Sequence, residues 1–397
     1  MAASSEAPRI LMVSARYLPD LGGIETHIYE VARRLSALHG FEITVLVTDR
    51  TGSLPCQEVI EGITVVRVPA WPRRRDYYFA PQISAVVGQY NRWDLVHCQG
   101  IHTFVPILAM CAARRARTPY LVTFHTGGHS LHYRNALRSA QWRFIGPLLR
   151  DAKSLIGVSH FEAKALSKQA HLGGKAVSVI RNGGTLPQLA AGIAAVPGRI
   201  VSSGRLEKYK GHQHVIDALP YVMRDVPNAH LVVLGKGPYE PELRQLARRL
   251  GVGDRVTITE VKPSDRAGMA MALSGSSVVA ALSDYEAHPV AVMEALSVGR
   301  PVVGYDVAGI GDLVTEGWVR GVTPGASAAT VASRLVEAMS SPSLVAPAAL
   351  PTWDSCAEQL AEVYWASIGP DFSHPLSKPV SPGPESGGQG RLIEPRS

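Results

Sequence analysis

Short, nearly continuous apolar runs alternate with amphipathic helical stretches along this chain, and that alternation constrains its fold more than any other feature. Ile10–Val13, Ile43–Val47, Thr64–Val68, Leu95–His97, Tyr120–Phe124, Leu155–Val158 and Val177–Ile180 read as strands. Helical patterns separate most of them, as in Glu25–Leu38, where Ile28, Val31, Ala32 and Leu35 share one face. Strands that are apolar on both faces belong in a parallel sheet covered by helices on both sides. A loose stretch rich in Ala, Gly and Pro follows, Thr185–Gly198. A second series then begins with Ile200–Ser203, Leu231–Leu234, Val256–Ile258, Val278–Ala280 and Pro301–Val303. Its helices fall near residues 212–225, 239–250, 265–273 and 290–298. The fold class expected is α/β, with two Rossmann-like domains whose parallel sheets face each other across a central cleft. The divisions expected are residues 1–185, a linker at 186–198, a second domain at 199–350, and a helix at 351–367 returning toward the first domain. Residues 368–397, rich in Pro, Ser and Gly, read as a disordered tail.

A chain of 397 residues exceeds one ordinary core and suits two such domains. No apolar run reaches the ~18–20 residues of a membrane helix, and Phe104–Ala113 reads as a buried helix instead. Met1–Pro8 is polar and short, unlike a signal peptide. Cys56, Cys98, Cys111 and Cys356 form no C-x-x-C pair, which argues against a zinc site or a disulfide framework and for a reducing cytoplasm. The net charge of +7 is uneven, because residues 1–185 carry about ten more Lys/Arg than Asp/Glu. Such a face suits a peripheral contact with anionic lipid head groups or a phosphorylated acceptor, or is simply solvated. Nucleic acid is disfavoured, since no aromatic stacking module accompanies the arginines.

In doubly wound sheets, ligands sit at the carboxyl ends of strands. Four blocks lie just there. In Ser283-Asp-Tyr-Glu-Ala-His-Pro-Val-Ala-Val-Met-Glu294, Glu286 precedes a helix introduced by Pro289, and Glu294 lies one turn inside it. The free N–H groups of Val290 and Ala291 at that helix start favour a phosphate. One segment thus offers a carboxylate, an anion site and a second carboxylate, which suits a sugar, a diphosphate and a ribose laid end to end. The bland alternative is a loop acid and a helical acid at the surface. Ser203-Gly-Arg-Leu-Glu-Lys-Tyr-Lys-Gly211 brings Arg205 and Lys210 to a glycine-bounded loop, where fixed cations would stabilise a departing diphosphate. Gly22-Gly23 allows backbone to approach a ligand before the helix from Glu25. His125, in Thr123-Phe-His-Thr-Gly-Gly-His129, could reach a sugar in the cleft.

Taken in order, these blocks resemble the retaining glycosyltransferases of GT-B type commonly called family 4, from about Arg9 to Ser367. The most specific part is the E-x7-E motif, Glu286 to Glu294, followed by Ala295-Leu-Ser-Val-Gly-Arg-Pro-Val-Val-Gly304. Gly-Arg-Leu-x-x-x-Lys-Gly, Gly-Gly-Ile-Glu, Gly235-Lys-Gly237, Val158-Ser-His-Phe-Glu162 and Ile180-Arg-Asn-Gly183 fall in the family's order.

The resemblance implies a hexosyltransferase-like enzyme of glycan or glycolipid synthesis that takes a UDP- or GDP-linked sugar as co-substrate, with no cofactor. By it, Glu286 contacts the donor sugar, Glu294 the ribose hydroxyls, and Arg205 and Lys210 the diphosphate. Gly22 and Gly23 close from the other domain, and His125 stands near the anomeric carbon. It also implies retention by front-face attack and no metal, in keeping with the absence of Asp-x-Asp. The chain departs from the pattern at Ala287-His288-Pro289, where the family has Gly and often Phe-Gly, and at Asn182-Gly-Gly-Thr185, where it has Asn-Gly-Val-Asp. His288 is either a donor contact or a surface histidine.

Two other readings compete: a nucleotide-sugar epimerase of the same architecture, and an idle homologue that only binds nucleotide sugars. The donor base, sugar and acceptor are not legible. Glu260-Val-Lys262 is the candidate base loop, and residues 71–78 and 128–138 are the candidate acceptor loops.

Overall fold

Strand and helix alternate from the first described residue. The computed structural model describes residues 7–368, except residues 21, 73–77, 90–91, 126–131, 170–171, 190–192, 263–264 and 342–344, and gives only the backbone of residues 132–141 and 169. The tail expected to be disordered, and the 73–77 and 128–131 parts of the expected acceptor loops, lie outside the described residues. The first half runs β1 (Arg9–Val13), α1 (Gly23–His39), β2 (Glu42–Asp49), β3 (Gln57–Ile60), β4 (Ile63–Pro69), α2 (Gln82–Val87), β5 (Leu95–Gln99), α3 (Phe104–Ala116) and β6 (Tyr120–Thr123). It continues through α4 (His132–Asp151), β7 (Leu155–Gly157), α5 (His160–Gln169) and β8 (Ser178–Val179). These strands form one sheet in the order β3-β4-β2-β1-β5-β6-β7-β8. All its pairings are parallel except β3 with β4.

The second half runs β9 (Arg199–Ser203), α6 (His212–Asp225), β10 (His230–Leu234), α7 (Glu240–Arg249), β11 (Val256–Thr259), α8 (Arg266–Ser274), β12 (Val278–Ala281) and α9 (Val290–Ser297). It ends with β13 (Val302–Tyr305), α10 (Ala308–Thr315), β14 (Arg320–Val322), α11 (Ala328–Met339) and α12 (Trp353–Ile368). Its sheet is wholly parallel, in the order β11-β10-β9-β12-β13-β14. In each sheet the strand order reverses beside the first strand, at β1/β5 and at β9/β12, and those crevices are where a doubly wound sheet binds ligand.

Burial follows the period of two expected of strands. Leu11 and Val13 face one core cluster, while Ile10 and Met12 face the other across the sheet. The second sheet divides likewise, with Ile200 and Val278 on one side and Val201 and Val279 on the other. Helix α12 crosses back to the first domain: Trp353, Cys356, Leu360 and Tyr364 join the cluster made by Ile28, Val31 and Leu35 of α1.

Candidate functional site

Glycines shape the loop after β9. Gly204 has φ +153, and Gly211 has φ +76, a left-handed conformation that closes the short 3-10 turn Lys208–Lys210. A Cβ on Gly211 would fall onto the carbonyl oxygen of Leu282, and one on Gly235 onto the carbonyl oxygen of Gly204. The β9 loop is therefore pressed, backbone to backbone, between the ends of β10 and β12, and Leu206 N donates to Lys236 O at 3.1 Å. This contact carries Lys210 to Glu286, with Nζ 2.6 Å from Oε1. Ser283 Oγ donates to the same carboxylate oxygen at 3.0 Å. Burial works against the Lys210 charge, but Glu286 and Tyr209 outweigh it and push the ammonium pKa up. Arg205 donates to Tyr209 Oη at 2.8 Å and pairs with Glu207 at 2.9 Å.

The Glu286 loop is fixed from its other end by α10. Gly309 N donates to Glu286 O at 2.8 Å, and a Cβ on Gly309 would collide with the carbonyl of Ala287. Pro289, in extended conformation, caps α9. The amides of Val292 and Met293 bond to Pro289 O, so Val290 and Ala291 are the residues whose N–H groups head the helix. The Val290 side chain packs against the first domain's core. Glu294 is buried, and Arg266 Nη2 lies 2.6 Å from its Oε1. Burial raises the Glu294 carboxyl pKa, and Arg266 offsets this only in part.

His288 is buried, so the surface reading of it is corrected. Neither ring nitrogen has a hydrogen-bond partner among the described residues, and burial, helped by Arg181, brings its pKa down to about 3. Its carbonyl accepts from Asn182 Nδ2 at 3.3 Å, and Asn182 Oδ1 lies 2.9 Å from His27 Nδ1 in the first domain. Asn182 thus ties α1 to the start of α9.

On the first-domain side, Gly22 is the N-cap of α1. A Cβ there would stand 2.7 Å from Glu25 Oε2, whereas Gly23 has open space around it. Glu25 is buried with Arg16 at 3.4 Å. Burial raises its carboxyl pKa, and Arg205 of the opposite domain is among the charges that pull it back. The glycine turn and the Arg205 loop therefore face one another. His125 sits at φ +63, a rare conformation for a residue with a side chain, and its Nε2 donates to Gln99 Oε1 at 2.8 Å. Burial, with His27 and His97 nearby, holds His125 neutral well below the usual histidine range. A neutral ring can hydrogen-bond to a sugar without carrying charge.

The structure brings Lys210 to Glu286, sets Arg205 opposite Glu25, and places Glu294 with Arg266. Sequence reasoning assigned no role to Glu25, Gln99, Asn182 or Arg266. Glu25 and Asn182 stood inside motifs already quoted. Gln99 carried a weaker signal, a polar residue closing an apolar strand, and Arg266 carried none. Of the candidate base loop, Glu260 makes a loose exposed pair with Lys236 at 3.9 Å. His129 lies outside the described residues.

Residues 21–184 match the model for Glycosyltransferase Family 4, and residues 192–347 match that for Glycosyl transferases group 1. The GDP-mannose:cellobiosyl-diphosphopolyprenol alpha-mannosyltransferase of Komagataeibacter xylinus is 25% identical over 324 residues, covering 79% of each chain. The phosphatidyl-myo-inositol mannosyltransferase of Mycobacterium leprae is 29% identical over 334 residues, covering 79% of this chain and 83% of that one. Among solved structures, Anabaena HepE in complex with UDP-glucose superposes with a TM-score of 0.63 at 20% identity, over 89% of this chain and 98% of that one.

Proposed function

Because the chain belongs to the family 4, group 1 glycosyltransferases and has their GT-B fold, we propose that it transfers a sugar with retention from a nucleotide diphosphate donor to a phosphorylated, lipid-linked acceptor. The observation that carries this reading is the Lys210–Glu286 pair beside Arg205, built where the strand order of the second sheet reverses. In the proposed reaction, Arg205, Lys210 and the head of α9 stabilise the charge that grows on the departing diphosphate. Glu286 accepts from a donor-sugar hydroxyl, and neutral His125 donates or accepts beside the anomeric carbon. The acceptor hydroxyl attacks from the face the diphosphate leaves. Its proton passes to a leaving phosphate oxygen as the new glycosidic bond forms and the old C–O bond breaks. The fixed cations do the electrostatic work of a metal, and the sequence has no Asp-x-Asp to hold one.

The acceptor class is supported by the names of the two relatives, both of which act on phosphate-bearing lipids. The basic surplus of the first half of the chain suits such a substrate at an anionic surface. No helix among the described residues is long and apolar enough to cross a membrane, so the contact proposed is peripheral.

Thermal shift and hydrolysis against UDP-, GDP-, ADP- and dTDP-sugars test the donor assignment, and the anomeric configuration of the product by NMR tests retention. Stabilisation by one nucleotide with slow release of its diphosphate is expected. A folded protein stabilised by none of them would overturn the reading. Flotation with anionic liposomes should show binding at low salt that weakens at high salt, and no binding at low salt removes the membrane contact.

A further inference from the structure

Arg266 belongs to none of the motifs above, yet it is the sole hydrogen-bond partner of the Glu294 carboxylate among the described residues. Its position is fixed locally. Asp265 caps α8 by accepting from Gly268 N at 2.7 Å, and any Cβ on Gly268 would collide with that carboxylate. The first residue of α8 is thereby aimed at α9, where Glu294 is only 4% exposed. Arg266 Nη2 engages Oε1 alone, and Oε2 takes no partner among the described residues.

We propose that Arg266 is a positioning residue for the donor: it anchors Glu294 through Oε1, so that Oε2 is held to accept from the ribose hydroxyls of a nucleoside diphosphate. This rests on the donor reading above. A buried carboxyl without a cation favours its protonated form, which offers a ribose diol a poorer acceptor. The charged groups that act on Glu294 are Arg266 from α8 and Glu30 from α1, the latter already held by Arg33 and Arg34. Glu30 disfavours the ionised carboxylate, and Arg266 opposes both that effect and burial.

Calorimetric affinities for UDP and GDP and for their 2′,3′-dideoxy counterparts, on the full chain between pH 6 and 8, separate the outcomes. For the nucleotide that binds, Arg266→Met should lose about tenfold or more on the ribo form, the scale of a charge-assisted hydrogen bond, and little on the dideoxy form. The loss should grow as pH falls, because Glu294 then takes up a proton more readily. Arg266→Lys should recover most of the affinity. In a Glu294→Gln background, which has no charge to hold, Arg266→Met should add no further loss on the ribo form. Equal loss on ribo and dideoxy forms, or no loss in Arg266→Met, overturns the role of Arg266 and leaves the donor reading standing. Wild-type protein that binds neither nucleotide overturns the donor reading, and this inference with it.

Discussion

Lys210 and Glu286 meet at 2.6 Å, and through them the loop after β9 is bonded to the loop after β12. The pair is mostly buried, with side chains 17% and 18% exposed, so neither charge is well served by water if the other is removed. Each charge is satisfied by its neighbour.

The first prediction follows from that pair. Lys210→Ala or Glu286→Gln should lower turnover about a hundredfold or more, the scale of losing a preorganised charge partner in the transition state. Steady-state rates on the donor found by the nucleotide panel check this, and activity within a few-fold of wild type would refute the assignment. Thermal melts run alongside should show both variants less stable than wild type, because each leaves the remaining buried charge without its counter-charge.

Gly211 and Gly235 test how the loop is held. Alanine at either position drives a methyl group into backbone carbonyl, of Leu282 or of Gly204, and backbone cannot turn aside as a side chain can. At Gly211 the left-handed φ adds strain. Each substitution should cost about 2 kcal/mol, in the range of overpacked sites, and shift Arg205 and Lys210 enough to weaken nucleotide binding about tenfold. Differential scanning calorimetry and nucleotide titration read the two effects. A variant with unchanged melting and unchanged affinity would show that the loop tolerates a looser contact.

His288 sets a pH dependence. Its folded pKa is about 3 against an ordinary value of 6.5, so the unfolded chain binds protons that the native state refuses. Stability from this group is therefore fully present above pH 6.5 and is lost progressively as pH falls from 6.5 toward 3. His27, brought down to about 4 by burial, acts in the same sense. Phenylalanine at 288 removes both nitrogens, which have no hydrogen-bond partner among the described residues, while keeping a ring. His288→Phe should melt higher than wild type at pH 5, with a smaller gap at pH 7.5. A gap independent of pH would mean that His288 takes up its proton alike in the folded and unfolded chains, and would overturn this dependence.

The two sheets were legible because their strands are apolar on both faces, and the expected boundaries of most strands agree with those observed to within two residues. Two strands were not. Gln57–Ile60 is a half-exposed edge strand with two polar residues in four, and Arg320–Val322 is too short to leave a pattern. The same distinction runs through the site. Residues in loops that follow strands, such as Arg205, Lys210 and Glu286, carry a local spacing that can be read. Arg266 reaches Glu294 across 28 positions, and Asn182 reaches His288 across 106, pairs that only tertiary packing brings into range. The protonation states of His125 and His288 were likewise invisible, since burial sets them and a sequence shows composition, not depth.

The last prediction concerns the seam between the domains at α5 and α10. Asp312 Oδ2, in α10, accepts from Phe161 N in the first turn of α5 at 2.7 Å. It reinforces the side-chain cap α5 already has, in which Glu162 N donates to Ser159 Oγ at 3.2 Å and Val158 N donates to Glu162 Oε2 at 2.8 Å. A carboxylate at a helix start gains from the helix dipole as well as from the bond. Nearby, Arg181 after β8 pairs with Glu316, which follows α10. Because Gly309, also in α10, holds the carbonyl of Glu286, the seam and the Glu286 loop share one short helix. Asp312→Ala should cost about 1 kcal/mol locally, the value of a lost cap, and speed exchange of the Phe161 amide about fivefold. Donor KM should rise in the same variant while the melting of the isolated cap region leaves global stability nearly unchanged. Unaltered exchange at Phe161 would show that the domains are held by Arg181 and Asn182 without this contact. Faster exchange with an unchanged donor KM would confine the effect of α10 to docking and separate it from the site.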